Sequence, residues 1–96
     1  MYAAIRCYEG SGALTEELMR AGRQLSALLA RKPGFMSFEV LEAARGHFAW
    51  VCRFDDEESL AEADRRAVEW LTSSLGALIG NPTEVLAGEV IVQRGL

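Results

Sequence analysis

Residues 2–9 alternate in character, with Ala3, Ile5 and Cys7 at one parity and Tyr2, Arg6 and Tyr8 at the other, the period of a strand with one buried face. Glu9-Gly10-Ser11-Gly12 ends that pattern. From Leu14 the spacing becomes helical: Leu14, Leu18, Ala21, Leu25 and Leu28 fall on one stripe, which Leu29 widens. A helix over 14–32 follows, with Thr15 as its cap and Leu14 and Met19 at the two staple positions. Glu16 and Glu17 suit its positive end, Arg31 and Lys32 its negative end, and Pro33-Gly34 stops it. Residues 35–43 read as a second strand, Arg45-Gly46-His47 as a turn, and 48–54 as a third strand closing a hairpin. Asp55 with Glu58 has capping-box spacing for a second helix, whose stripe is Leu60, Ala63, Ala67, Leu71 and Leu78. Its Glu62/Arg66 and Arg65/Glu69 spacings describe a solvated face, each pair contributing only about 0.2–0.5 kcal/mol. Gly80-Asn81-Pro82 ends the helix, and 84–93 form the last strand.

Two strand-helix-strand units predict an α+β fold: a ferredoxin-like βαββαβ sandwich, with a four-stranded antiparallel sheet and both helices on one face. Ile5, Cys7, Met36, Phe38, Val40, Trp50, Cys52, Phe54, Val90 and Val92 are assigned to the helix-covered face. Arg6, Tyr8, Glu39, Val51, Arg53, Glu89 and Ile91 are assigned to the other. That second face mixes charge with apolar bulk, so it either meets water or packs on another sheet; Glu39, Val51, Arg53, Glu89 and Ile91 are the dimer-face candidates.

Ninety-six residues allow one domain, spanning 1–96. A chain of this size removes only about two thirds of its surface from water, which makes self-association an expectation. Ten basic against fourteen acidic residues leave a net charge of −4, which opposes the phosphate neutralisation that drives nucleic-acid binding. No apolar run approaches the roughly 20 residues of a membrane span, and the N-terminus lacks the pattern of a secretory signal, so the expected location is cytoplasmic. Cys7 and Cys52 lie far apart, with no CxxC and a single histidine, so no metal site is expected. Both cysteines are read as buried free thiols on adjacent strands and the same face.

The opening YAAIRCYEG, Lys32-Pro33-Gly34-Phe35 at the start of strand two, Arg53-Phe54-Asp55-Asp56 closing the hairpin, Glu69-Trp70 on the second helix and Ala87-Gly88-Glu89-Val90 at the end carry a resemblance. In this order the chain resembles the antibiotic biosynthesis monooxygenase-like family over nearly its whole length. The resemblance implies a dimeric α/β barrel in which two sheets pack face to face, with a small pocket between helices and sheet in each subunit. It implies a homodimer with a small aromatic ligand as partner. It also implies a cofactor-independent monooxygenase acting on a phenolic or quinol compound; the alternative is a non-catalytic ligand-binding or stress-associated dimer on the same scaffold. A haem-degrading branch uses histidine and tryptophan on the second helix and asparagine near the end of the first strand. Here that helix has no histidine and the strand offers Arg6, Cys7 and Tyr8, which disfavours haem chemistry.

Oxygenation of a phenol needs a base that forms the electron-rich phenolate, in a chamber that excludes water. The pocket candidates are Arg6, Tyr8, Phe38, Trp50, Phe54 and Trp70. Arg6 either holds an anionic oxygen as a charge-assisted donor or pairs with Glu39 or Glu89. Tyr8 either donates to a ligand or packs with its hydroxyl in water, and Trp70 lines either the pocket or the core. His47 falls in the hairpin turn, away from the pocket, so the base is left unassigned.

Overall fold

The computed structural model describes residues 1–10, 14–76 and 78–95. Its elements run β1 (Tyr2–Glu9), α1 (Leu14–Leu29), β2 (Phe35–Ala44), β3 (His47–Phe54), α2 (Glu57–Leu75) and β4 (Glu84–Glu89). The strands form one antiparallel sheet in the order β2-β3-β1-β4, the ferredoxin-like arrangement expected from the sequence.

Both helices pack on one face through their leucine and alanine stripes. Leu14, Leu18, Ala21, Leu25 and Leu29 of α1 and Leu60, Ala63, Ala67, Leu71 and Leu75 of α2 are buried. They meet Phe48, Trp50, Cys52 and Phe54 of β3, whose strict alternation of buried and uncovered positions makes it the floor of the core. Phe35 and Phe54 meet edge to face at 5.7 Å between ring centroids.

Several local expectations are corrected. Thr15 is already inside α1, and its hydroxyl donates to Glu42 of β2 at 3.0 Å instead of capping; residues 11–13, where a cap would lie, are outside the described residues. Met19 is 56% exposed and staples nothing inward. α1 stops at Leu29, three residues short of Lys32, in a series of turns that lead to Gly34 at φ +82°. The cap of α2 is Asp56, not Asp55: its carboxylate accepts from the Ser59 backbone N–H at 2.6 Å, and this bond holds the Asp56 pKa below its ordinary value. α2 ends at Leu75, and Leu78 is left partly exposed beyond it. In the hairpin turn, Gly46 has φ +81° and donates no space to a side chain: a Cβ there would lie 2.5 Å from the Gly10 carbonyl oxygen.

Two corrections bear on function. In β1 the alternation is as expected but its faces are reversed. Register pairs put Ala4 opposite Cys52 and Arg6 opposite Trp50, so Tyr2, Ala4, Arg6 and Tyr8 face the helices while Ala3, Ile5 and Cys7 face away. The reversal occurs because Arg6 and Tyr8 have long apolar bodies that the core can cover once their polar ends find partners. Cys7 and Cys52 therefore lie on opposite faces of the sheet, as free thiols.

β4 ends at Glu89 instead of Gln93. Tyr2 opens β1 opposite Glu89, so the ladder has no strand to continue on beyond a single bond from Val90 N to the Met1 carbonyl. Glu89 consequently shares the helix-side face with Tyr2, and Ile91 and Val92, each 86% exposed, belong to neither sheet face. The open face holds Glu39, Val51 and Arg53 together with Ala3, Ile5, Leu41, Ala49 and Leu86. Among the described residues no helix is long and apolar enough to cross a membrane.

Candidate functional site

A cleft of about 540 Å³ opens between α2 and the β1/β4 edge of the sheet. Ala4, Leu60, Val68 and Ala87 give it apolar walls, and Arg6 and Asp64 put opposite charges into it. Asp64 lies four residues after Leu60 and three before Ala67, so helical geometry turns it toward β1 with the apolar stripe. Arg6 arrives from the sheet at the same height. Its Nη2 donates to Asp64 Oδ2 at 2.8 Å, and its Nε donates to Oδ1 and Oδ2 at 3.1 and 3.2 Å. Both side chains are less than one fifth exposed. The hydrogen bonds to Asp64 raise the Arg6 pKa, against the cost of burial.

None of these bonds uses Arg6 Nη1, which leaves one edge of the guanidinium for another acceptor. The buried Tyr8 side chain lies near the guanidinium. Burial raises the Tyr8 pKa, and the positive charge of Arg6 pulls the other way. From Tyr8 an aromatic row crosses the sheet: Tyr8 to Trp50 at 5.5 Å and Trp50 to Phe38 at 6.0 Å. The Trp50 indole N–H is buried within this row and finds no acceptor among the described residues.

At the opposite end of the cleft, Tyr2 and Glu89 face each other across the β1/β4 pairing. The charge of Glu89 raises the Tyr2 pKa most, and Glu57 and Asp56 add to it. On the rim, Arg65 pairs with Glu69 at 2.8 Å.

The six pocket candidates are not brought together. Arg6 lines the α2–β4 cleft and Tyr8 lies buried beyond it. Phe38 lines a second cavity of about 340 Å³ between α1 and β2. Trp50 and Phe54 are core residues, and Trp70 is half-buried in a groove between the two helices. Arg6 pairs with neither Glu39 nor Glu89; Glu39 is bound by Arg53 on the open face. His47 is not in the hairpin turn but opens β3, exposed, with its ring 3.4 Å from the Glu9 carboxylate. The sequence reading missed Asp64 altogether, although a carboxylate set into an apolar helical stripe is itself a signal.

No protein-family model matches the sequence, and no curated protein matches it significantly. Solved structures do match. A candidate antibiotic biosynthesis monooxygenase from Nitrosomonas europaea superposes on 98% of this chain and 93% of its own, with a TM-score of 0.80 at 18% identity. The chain has the fold of the antibiotic biosynthesis monooxygenase-like proteins. SnoaB, a cofactor-independent oxygenase from Streptomyces nogalater, shares this fold over 99% of this chain and 95% of its own, with a TM-score of 0.67 and 16% identity. So does a variant of MhuD carrying two manganese protoporphyrin IX molecules per active site, over 99% of both chains, with a TM-score of 0.76 and 17% identity. At these identities the likeness establishes fold and leaves chemistry to the residues of the cleft.

Proposed function

We propose that this protein is a cofactor-independent monooxygenase that binds a small phenolic or quinol compound in the α2–β4 cleft. The observation that carries the reading is the Arg6–Asp64 pair, a guanidinium and a carboxylate in bidentate contact among the apolar side chains of Ala4, Leu60, Val68 and Ala87. SnoaB, on the same fold, is a cofactor-independent oxygenase.

The pair supplies the base that the sequence left unassigned. A phenol whose hydroxyl reaches the pair gives its proton to the Asp64 carboxylate, and the guanidinium passes from carboxylate to phenolate oxygen. The net charge of the cleft is unchanged, so the exchange suits a site with little water. The phenolate then reduces dioxygen. One oxygen atom replaces the two hydrogens lost from the phenol, leaving a quinone, and the other departs as water, so the substrate supplies all four electrons.

The molecule acts as a homodimer through the open face of the sheet. Ala3, Ile5, Leu41, Ala49, Val51 and Leu86 make that face more apolar than the sequence reading assumed, and Leu86 is 62% exposed. A second reading, a non-catalytic ligand-binding dimer, draws on the fact that Arg6 and Asp64 already satisfy each other. Turnover of a quinol panel under 18O2 by metal-free protein separates the two. A product that gains one labelled oxygen supports oxygenation, and bound but unaltered quinol supports the second reading.

A further inference from the structure

We propose that the α2–β4 cleft admits hydroxyaromatic ligands as uncharged molecules and turns away those bearing a carboxylate, an inference that rests on the phenolic reading of the same cleft. The charges that line it are unequal. Glu57, Asp64, Glu69 and Glu89 stand against Arg6 and Arg65. Both cations are committed: Arg6 to Asp64, and Arg65 to Glu69 and Glu62. Glu57 and Glu89 remain without a cationic partner among the described residues, and both border the Tyr2 end.

The protein's own phenol shows what this end accepts. Tyr2 lines the cleft directly opposite Glu89 in the β1/β4 pairing, and the charge of Glu89 holds it protonated above its ordinary pKa, with Glu57 and Asp56 adding to the effect. A neutral hydroxyaromatic meets a hydrogen-bond acceptor there. A second carboxylate meets two like charges, in a cleft whose apolar walls reduce screening. Arg6, the group that would otherwise reward an anion, reserves only its Nη1 edge.

The test compares 2-naphthol with 6-hydroxy-2-naphthoate, which has the same ring and hydroxyl plus one carboxylate, by fluorescence titration at pH 7 and low salt. The parent protein is expected to bind 2-naphthol at least about tenfold more tightly, and the gap should narrow in added salt and in the Glu57→Gln/Glu89→Gln variant. Both side chains are exposed and Gln keeps their size, so the variant should fold as the parent does. Equal or tighter binding of the naphthoate, or a gap unmoved by the double substitution, overturns the inference while leaving a phenol site intact. Failure of both compounds to bind overturns the phenolic reading and this inference with it.

Discussion

Arg6 and Asp64 are 58 positions apart in sequence, yet the guanidinium lies in bidentate contact with the carboxylate, one side chain rising from the sheet and the other descending from α2. The contact fixes the height of α2 over β1. Because both groups are largely shielded from water, removing either leaves the other as an uncompensated charge.

Asp64→Ala is therefore expected to destabilise the protein by about 1–3 kcal/mol, a fall in Tm of roughly 4–8 °C for each kcal/mol in a chain of this size. Asp64→Asn, which keeps one acceptor oxygen, should cost less. The apolar double variant Arg6→Met/Asp64→Leu should recover most of the loss. Urea denaturation of the four proteins measures the series, and a loss in Asp64→Ala within the error of the fit would show that the pair does not hold the helix to the sheet.

Cys52 is the interior thiol, and its pKa is pushed up to about 12, first by burial and then by the charge of Asp64. In the unfolded chain it ionises near its ordinary 9.0. Above that pH the unfolded state has fewer bound protons than the native state, so this group's contribution to stability is full below about pH 9 and is lost as the pH climbs toward its folded value. Stability measured between pH 8 and 11 should fall, and should fall less steeply in Cys52→Ala. At pH 8, iodoacetamide should leave Cys52 unlabelled until denaturant is added. Intact-mass analysis without reductant should find no bridge between Cys7 and Cys52, which the sheet separates.

The period of the pattern was legible in the sequence, and its phase was not. β3 reads correctly because its alternation sets Phe48, Trp50, Cys52 and Phe54 against His47, Val51 and Arg53. β1 misleads because both its faces carry apolar groups: Ile5 and Cys7 are conventional core residues, whereas Arg6 and Tyr8 become interior only through partners elsewhere in the chain. Asp64 is the missing partner, and pairwise helical spacing reads it as one more charge in a charged helix. Its place within the Leu60–Ala67 stripe marks it as different. The end of β4 was equally hidden, since Val90-Ile91-Val92 has full strand character and loses its strand only because β1 offers no further partner.

The open sheet face makes a prediction of its own. Val51 lies at its centre, paired with Ile5 on one side and Glu39 on the other. Val51→Glu adds a charge to that apolar surface without entering the core. Light scattering in line with size exclusion should give about twice the chain mass for the parent, across an interface larger than about 1,000 Å², and a shift toward the single-chain mass for the variant. A parent protein that stays monomeric at micromolar concentration would remove the dimer from the account.

The most direct test of the cleft is oxygen uptake by metal-free protein with a panel of quinols and phenols, comparing the parent with Arg6→Gln and Val51→Ala. The parent and Val51→Ala should consume about one dioxygen per molecule of phenol oxidised. Arg6→Gln, which cannot hold a phenolate as a full charge, should slow by at least about a hundredfold, the scale on which loss of one charge-stabilising donor is felt. Uptake that never exceeds the buffer rate across the panel, or that Arg6→Gln leaves unchanged, would contradict the assignment of the cleft as an oxygenase site.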